Sequence, residues 1–435
     1  MKHRSLPVRL TAAVLAVCLL FSLAACGKSP ASSSTAESGS NTSLPKSVKA
    51  DDLLKGITAE PVEGKRFDSG FGDSQYAFAA GIFRRSYEAD GGNCLVSPLS
   101  VMLALAMTAN GAAGETLQQM QDVLGSGMPI EDLNAYLYQY VSELPSGDKA
   151  KLAIANSIWI NRDEDFAVKE DFLKKDVSWY NAAVYKLPFN ESAVKEINGW
   201  VSKNTDKMIK KIVSGLNPED RLLLINAICF DAKWLQPYET QDVQDAVFTR
   251  SNGGTQKVNM MYSWEKEYYE GEDYTGFARY YDGGAYKFVG ILPNTDVSLE
   301  QFVSSLDGEK LAAIFKCVEY PKVHAGIPEF TYEYETSLLE RLEDMGMTRA
   351  FAGADFSLMS EDEQLAVSGV VHKTFIEVSK KGTRAAAVTG VTMAATAVFE
   401  PEEPKSVILD RPFLYMIVDT AHNLPVFIGT VNSID

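Results

Sequence analysis

Apolar and polar positions recur along the chain with two different periods, and these periods predict both helices and strands. The segment VMLALAMTANGAAGET, which follows Ser97-Pro98, has apolar residues three and four apart. It therefore predicts a helix with Pro98 in its first turn and Gly111 near its end. KLAIANSIWI predicts a buried strand. LLLINAICF is an almost continuous apolar run bounded by charged residues, which predicts a central strand covered on both faces.

The later segments predict further elements of both kinds. INGWVSKNTDKMIKKIV, residues 197–213, predicts an amphipathic helix, and TYEYETSLLERLEDMGM predicts a strand followed by a helix. The runs PFLYMIVD and LPVFIGTVN flank a short polar turn at residues 420–423 and predict a buried antiparallel hairpin. Helices come first and large sheets dominate later, so the predicted fold class is α+β.

The first 25 residues have the pattern of a cleaved signal peptide. Three basic residues precede a sixteen-residue run without charge, residues 10–25, which is shorter than the about 20 residues of a membrane-spanning helix and ends in small residues. The ending LAAC resembles the bacterial lipobox, which implies a diacylglycerol on Cys26. Two acyl chains would hold the protein stably at a membrane surface. Plain secretion with a chance cysteine is the alternative.

The remaining chain divides by composition into three parts. Residues 26–50 carry the lipidated Cys and are rich in Ser, Ala, Thr, Gly, Asn and Pro, which predicts a flexible tether. Residues 51–68 are a poorly defined lead-in, and residues 69–435 form the predicted folded domain. We therefore expect a body held at the bacterial cell surface by lipid, or extracellular if it is shed.

Charge and cysteine content narrow the class of protein. The formal net charge is -17, and the basic clusters are short, so nucleic acid is excluded as a partner because phosphate binding requires clustered Lys and Arg. Cys94, Cys229 and Cys317 lie in largely apolar stretches and show neither a disulfide framework nor metal spacing. Thiols buried in the core are the favoured interpretation.

The chain lacks the motifs that usually mark an enzyme. Neither a spaced metal motif among its four histidines nor a nucleophile elbow, phosphate loop or dinucleotide fingerprint is present. We expect no catalytic activity, no metal and no cofactor. A catalytic centre assembled from scattered residues remains an alternative, because triads are defined by geometry and not by sequence position.

Residues 382–398 form the most unusual stretch. After Arg384 it contains no charge, no Pro and, apart from Met393, no large side chain. Composition alone favours a buried strand over a linker. However, the stretch follows a charged Gly turn and precedes the acidic, Pro-containing residues 400–404, so its far end has the composition of a solvated segment.

Six segments in order resemble the motifs of the serpin family. FIEVSKKGTRAAAVTGVTM resembles the serpin hinge, and NCLVSPLSVMLALAMTANGAAGET the early helix motif. LLLINAICFDAKWLQPYE, GMTRAFAGADFS and VSGVVHKTFIEV resemble the central strand with its Trp turn, the late helix end and the strand before the hinge. DRPFLYMIV with LPVFIGTV resembles the closing hairpin. The resemblance covers residue 69 to the end and implies three β-sheets, eight or nine helices and an exposed reactive loop.

The resemblance also implies a mechanism and assigns residues to it. A protease attacks a bait bond in the loop, and the freed loop inserts as a new central strand and distorts the bound enzyme. The hinge would comprise Gly382, Thr383, Arg384, Ala385, Ala386 and Ala387. Supporting residues that resemble the polar cluster beneath the sheet and the aromatic at its opening are Ser97, Ser100, Asn226, His372 and Trp234. Each could also be an ordinary core residue.

An inserting strand must place alternate side chains on opposite faces, and the hinge is compatible with this demand. Thr383 would face the interior with other small uncharged residues, whereas Arg384 would face solvent, so insertion buries no unpaired ion. Serpins usually carry Glu near the positions of Lys380, Lys381 and Arg384, so this hinge is basic where theirs is acidic. That reversal puts in doubt the salt bridges that hold the uncleaved hinge.

Family spacing of roughly fourteen residues from the hinge glycine places the bait bond between Thr396 and Ala397. Neighbouring residues are alternatives: Met393, Ala395 and Val398. No Arg or Lys lies between Arg384 and Lys405. A small bait residue suits the shallow apolar pocket of elastase-like or subtilisin-like proteases, and Met393 and Phe399 leave a chymotrypsin-like alternative.

The interpretation is a single-use inhibitor of serine or cysteine proteases that acts as a monomer in a covalent 1:1 complex. Two other classes remain. One is a non-inhibitory binding or chaperone lipoprotein with the serpin fold, and the other is a surface hydrolase or solute-binding lipoprotein. The run of small residues after the hinge favours inhibition.

Overall fold

The computed structural model describes residues 49–161, 167–180, 182–316, 318–361, 365–384 and 404–434. Within these ranges the α-helices are α1 (Ser69–Asp90), α2 (Pro98–Ala109), α3 (Gly114–Gly125), α4 (Ile130–Glu143), α5 (Glu170–Tyr180), α6 (Glu191–Asn204), α7 (Leu299–Ser304), α8 (Gly308–Ile314) and α9 (Leu339–Asp344). The strands are β1 (Asp51–Asp52), β2 (Leu95–Val96), β3 (Ala150–Asn161), β4 (Ala183–Leu187), β5 (Leu222–Lys233), β6 (Val243–Thr249), β7 (Thr255–Glu270), β8 (Tyr274–Tyr280), β9 (Tyr286–Pro293), β10 (Val318–Pro328), β11 (Phe330–Ser337), β12 (Val367–Ser379), β13 (Gly382–Thr383), β14 (Lys405–Ile408), β15 (Phe413–Asp419) and β16 (Pro425–Val431). The predicted α+β class is confirmed.

Two hydrogen-bonded sheets organise these strands. The central sheet has the order β1-β4-β3-β5-β13-β12-β11, and the second has the order β14-β10-β7-β8-β9-β15-β16-β2 with β6 paired to β7. Three sheets were expected. The described strands form two because the long strand β7 pairs with β6 and β10 over most of its length and with β8 through residues 267–270. One strand thereby joins two of the expected sheets into a continuous ladder.

Strand β5 separates two apolar clusters, as its continuous apolar run predicts. Leu224, Ile228 and other side chains of one face belong to the main core, which also contains much of α2. Ile225, Cys229 and their neighbours on the other face pack with residues of α6. Successive side chains of a strand point to opposite faces, so each face of β5 is buried in its own apolar cluster.

Helix α2 begins where the sequence predicts. Pro98 occupies its first turn, and the Ser97 hydroxyl accepts a hydrogen bond from the Ser100 amide at 3.3 Å. Every residue of α2 is buried. The helix therefore passes through the core and delivers Ser97 and Ser100 to the underside of the central sheet.

Helix α6 is shorter than predicted. The expected helix over residues 197–213 ends at Asn204, because Asp206 and Lys207 adopt positive φ values of 49° and 62° that interrupt helical geometry. The apolar residues beyond, including Ile209 and Ile212, are nevertheless buried in the cluster beside β5. The apolar pattern therefore predicted correctly that these residues are buried, but it predicted a helix that is too long.

The C-terminal hairpin and the lead-in also pack into the body. Strands β15 and β16 are antiparallel and buried at every position, which confirms the predicted hairpin. Residues 51–68 had no predicted element. Here β1 pairs with β4, and Asp68 caps α1 by accepting from the Phe71 amide at 2.9 Å. Over the described ranges, no helix is both long and apolar enough to cross a membrane.

Candidate functional site

Strand β13 places the start of the predicted hinge inside the central sheet. Thr383 pairs with Ala232 of β5 and with Val378 of β12, and Gly382 pairs with the next residue of each strand, so β13 lies between them. Further along, β5 and β12 pair directly and in parallel, from Leu222 to Ile228 on β5. The sheet is therefore parted at one end by two residues and closed at the other.

The Gly382 backbone requires glycine. Its φ is 149°, and a Cβ at this position would lie 2.1 Å from the carbonyl oxygen of Ala232. No other residue could approach β5 so closely without displacing that strand.

Thr383 is anchored below the sheet by an aromatic pair. Its side chain is 1% exposed, and its hydroxyl lies 2.6 Å from the Tyr281 hydroxyl. The Tyr281 ring stacks on Trp234 with centroids 4.5 Å apart. Trp234 in turn donates from its indole nitrogen to the Ser379 carbonyl at 2.8 Å. Trp234 therefore packs beneath the parted end of the sheet.

The basic turn before the hinge is held through its backbone. The Trp234 amide donates to the Lys381 carbonyl at 3.0 Å, and the Tyr238 amide donates to the Lys380 carbonyl at 2.9 Å. The Lys380 amide donates to a Glu329 carboxylate oxygen at 3.2 Å. Each lysine takes part in these contacts through its main-chain atoms, so the contacts do not require a particular lysine side chain.

Arg384 is half-exposed and lies between β5, which carries Asp231, and β12, which carries Glu377. Its amide donates to the Glu377 carbonyl at 2.7 Å, and its guanidinium carbon lies 5.4 Å from the centroid of the Phe375 ring. Burial raises the pKa of Asp231 on β5, and the positive charge of Arg384 opposes that rise. The positive charge of Arg384 therefore interacts favourably with the Asp231 carboxylate on β5.

A buried polar network fastens the closed end of the sheet. His372 on β12 and Asn226 on β5 are opposite each other and hydrogen-bonded through Nδ1 and Oδ1. The His372 Nε2 accepts from the Ser97 amide at 3.2 Å, and the Asn226 side-chain nitrogen donates to the Ser100 hydroxyl at 2.6 Å. Burial without a charged partner lowers the pKa of His372 to about 3, so the imidazole is neutral.

Sequence reasoning missed Asn156, Tyr281 and Arg279. The Asn156 side chain accepts from Asn226 at 2.8 Å and from the Ser100 hydroxyl at 3.0 Å, so it extends the network to β3. A polar pair inside the apolar run KLAIANSIWI could have indicated it. Nothing near Tyr281 or Arg279 in the sequence indicates that they pack around Trp234.

The structure brings together two groups of predicted residues. Ser97, Ser100, Asn226 and His372 meet near the middle of β5 and β12, where these strands pair directly, and Trp234, Gly382, Thr383 and Arg384 meet at the parted end. The remaining predicted positions lie outside the described residues: Cys26, Ala385, Ala386, Ala387, Met393, Ala395, Thr396, Ala397 and Val398. Cys94 and Cys229 are free, buried thiols. In the part of the chain that the structure describes, no group of three or more His, Cys, Asp or Glu could hold a metal ion.

In the described residues, the central sheet holds the two-residue strand β13 between the long strands β5 and β12. The family profile for serpin (serine protease inhibitor) matches residues 73–434, so the chain belongs to the serpin family. Serpins are generally protease inhibitors and not catalytic enzymes, and the family therefore implies proteases as partners.

Relatives and solved structures match over most of the chain. An uncharacterized serpin-like protein of Thermococcus kodakarensis is 34% identical over 344 residues, covering 78% of this chain and 80% of that protein. Mouse (Mus musculus) neuroserpin is 30% identical over 363 residues, covering 78% and 85%. The crystal structure of the thermophilic serpin tengpin in its native state has a TM-score of 0.84 at 44% identity, covering 89% of this chain and all of that chain. Tengpin in its latent state has a TM-score of 0.74 at 40% identity, covering 86% and 100%.

Proposed function

We propose that this serpin is a suicide-substrate inhibitor of elastase-like or subtilisin-like proteases, with the reactive bond between Thr396 and Ala397. Cysteine proteases are a second class of target. The observation that carries the proposal is the position of β13 between β5 and β12. The hinge is inserted by two residues, so the remaining loop would continue an existing ladder and would not have to start a new one.

The first chemical step is ordinary proteolysis by the target. The protease serine oxygen attacks the carbonyl carbon of Thr396, an ester bond forms, and the amide bond to Ala397 breaks. Its nitrogen leaves as an amine with a proton delivered by the protease general acid. The loop then carries the enzyme on Thr396 and is free at that end to move into the sheet.

Insertion is driven by new ladder bonds. An added strand of about ten residues forms two ladders where one now joins β5 to β12, a net gain of about ten hydrogen bonds at ~1 kcal/mol each. That gain is comparable with the whole stability of an ordinary domain. Thr383 faces the interior and Arg384 the outer face. The alternation continued from them would place Ala385 and Ala387 inside, where their small side chains fit.

Insertion also requires the closed end to open. The His372–Asn226 hydrogen bond joins the two strands that must separate, and it would break when a strand enters between them. We infer that this network sets the barrier against premature insertion. It therefore keeps the inhibitor in its active form until a protease cuts the loop.

The test is to mix the protein with neutrophil elastase and with subtilisin, and then to run denaturing electrophoresis and mass analysis. We expect a covalent 1:1 complex that survives denaturant and a released peptide that begins at Ala397. A peptide starting elsewhere would move the bait bond. Clean cleavage without a complex would refute inhibition and favour a non-inhibitory serpin-fold protein.

Specificity provides a second test. The small bait residue predicts little inhibition of trypsin, because trypsin-like pockets require a basic side chain. Thr396→Arg is expected to confer trypsin inhibition and to abolish elastase inhibition. Thr396→Val, which keeps the residue small, is the matched control and is expected to retain the original preference. Equal inhibition of trypsin and elastase by the unaltered protein would contradict the assignment.

We also propose that Cys26 is lipidated and holds the inhibitor at the cell surface. Expression in a bacterial host fed a labelled fatty acid is expected to label the full-length protein. Cys26→Ser is expected to remove the label and to release the protein from membranes. Membrane association that survives Cys26→Ser would refute this proposal.

A further inference from the structure

The chain that follows the proposed lipid anchor joins the body at the closed end of the central sheet, where β5 begins. Strand β4 runs parallel to β3 toward that end, and β1 is antiparallel to β4 with Asp51 opposite Lys186. The chain before Asp51 therefore leaves the body at the closed end. The junction is fixed, because the Leu53 amide donates to the Val184 carbonyl at 3.0 Å and Ile57 packs against the main core.

Both ends of the reactive loop lie at the opposite, parted end of the sheet. Strand β13 begins the loop between β5 and β12 at that end. Lys405, the first residue of β14, is opposite Val323, and Val323 is opposite Glu265. Glu265 forms an ion pair with Arg279, whose guanidinium carbon lies 5.4 Å from the centroid of the Trp234 ring. A protease that attacks the loop therefore binds at the end of the sheet opposite the tether junction.

The register of β13 predicts where a trapped protease would finish. Continued one residue at a time from the pair of Thr383 with Ala232, an inserted strand would place Met393 opposite Leu222, the first residue of β5. Thr396, which would carry the enzyme as an ester, follows Met393 by three residues and would lie beyond the end of β5. At about 3.3 Å per residue, Thr396 would lie about 43 Å from Thr383. Insertion would therefore carry the enzyme from the parted end to the closed end.

The trapped enzyme and the tether junction would then be neighbours. A single row across the sheet joins opposite residues of β1, β4, β3 and β5, namely Asp51, Lys186, Ile160 and Leu222. An inserted Met393 would extend this row by one strand and, at about 4.8 Å per strand, would lie about 19 Å from Asp51. A protease domain of about 230 residues is about 45 Å across, so its radius exceeds that separation. The enzyme would therefore cover the tether junction.

A protease at the closed end must fit between the body and the membrane that holds the lipid. Lys49 follows Cys26 by 23 residues, which span at most about 80 Å. This reach exceeds the width of the enzyme, which is about 45 Å. The tether is therefore long enough to pass around a trapped protease, whereas a tether of half this length would not be.

We propose that residues 26–48 act as a spacer whose length is required for inhibition at a membrane. This inference rests on the proposed inhibitory function and on lipidation of Cys26. The anchored serpin presents its reactive loop away from the lipid surface, and insertion carries the trapped protease to the membrane-facing end of the body. The spacer lets the bilayer and the body stand far enough apart for the enzyme to enter between them.

The test measures the stoichiometry of subtilisin inhibition by full-length lipidated protein on vesicles of phosphatidylethanolamine and phosphatidylglycerol. After deletion of residues 31–45, Lys49 follows Cys26 by eight residues, which span at most about 28 Å and so less than the width of the enzyme. We expect the deletion to raise the stoichiometry at least twofold, because hindered insertion lets more acyl-enzyme hydrolyse.

Two controls separate the length of the spacer from its sequence and from the body. Shuffling residues 31–45 keeps the length, so the shuffled protein on vesicles is expected to match the unaltered protein. With Cys26→Ser added, the deleted and the shuffled proteins in solution are expected to have the same stoichiometry. A rise for the deleted protein in solution would show that the deletion damages the body, and it would overturn the proposal.

A distance measurement on the unaltered protein tests the proposal without any deletion. Energy transfer from a dye on subtilisin to a dye in the bilayer is expected to be stronger for active subtilisin than for subtilisin with its catalytic serine replaced by alanine, since only the active enzyme drives insertion. Equal transfer, or equal stoichiometry for the deleted and shuffled proteins on vesicles, would overturn the spacer and leave inhibition standing. Absence of a covalent complex in solution would refute inhibition itself, and failure of the full-length protein to bind vesicles would refute lipidation.

Discussion

Acid is expected to destabilise this serpin through a single buried imidazole. The folded state holds His372 neutral with a pKa of about 3, against 6.5 for a free imidazole. Between these values the unfolded chain binds the proton and the folded chain does not. The stabilising contribution of His372 is therefore complete above pH 6.5 and is lost as the pH falls from 6.5 to about 3.

The magnitude follows from the size of that interval. Each pH unit within this interval lowers the free energy of unfolding by about 1 kcal/mol, so at pH 4.5 it is lower by about 3 kcal/mol than at neutral pH. The hydrogen bonds of His372 explain why protonating it in the folded state is unfavourable. Nε2 accepts the Ser97 amide, and a protonated ring could no longer do so, which would leave a buried charge and an orphaned donor together.

The assay is urea unfolding followed by tryptophan fluorescence at pH 7.5 and pH 4.5. His372→Asn removes the titrating group, so other ionisable residues contribute equally to both proteins. We expect the free energy of unfolding of the unaltered protein to fall by about 3 kcal/mol more than that of the variant between the two pH values. Equal losses would show that His372 is not the buried neutral group described here, and the reasoning would be wrong.

Two further perturbations act on the parted end of the sheet. Arg384→Glu places a carboxylate near Asp231, and we expect about 1 kcal/mol of destabilisation at low salt that disappears in 1 M salt. Lys381→Glu, on the exposed turn, is the control, and an equal effect of both would refute a specific role for Arg384. Gly382→Ala is expected to expel the hinge from the sheet at a cost of about 1–3 kcal/mol and to raise the stoichiometry of inhibition. Gly284→Ala also replaces a glycine of positive φ but in open space, so it separates backbone strain from the steric clash.

Elements with a strong period were predictable because a local pattern decided them. Helix α2 combines a capping serine, a first-turn proline and continuous apolar character. Strand β5 is apolar on both faces, and the closing hairpin pairs two apolar runs across a short turn. In each case the residues that the pattern predicts to be buried are buried in the structure, so local preference and tertiary contacts agree.

The sequence pattern gave a wrong helix boundary where apolar residues keep helical spacing although the backbone is no longer helical. The segment after Asn204 keeps apolar residues at helical spacing, yet Asp206 and Lys207 break the helix. Burial against β5 is satisfied without helical geometry, so the spacing alone could not identify the end of α6. The number of sheets escaped prediction for a similar reason, since only pairing along β7 decides where one ladder ends.

The sequence by itself determined the fold class, the central strand, the buried helix beneath it and the small-residue stretch that follows Gly382. Only the tertiary structure decided that Gly382 and Thr383 lie between β5 and β12, and that Asn156 and Tyr281 complete the two ends of the site. The reason is that the hydrogen bonds of Asn156 and Tyr281 join residues 70 and 102 positions apart, whereas sequence periodicity reports only which face of its own element a residue occupies.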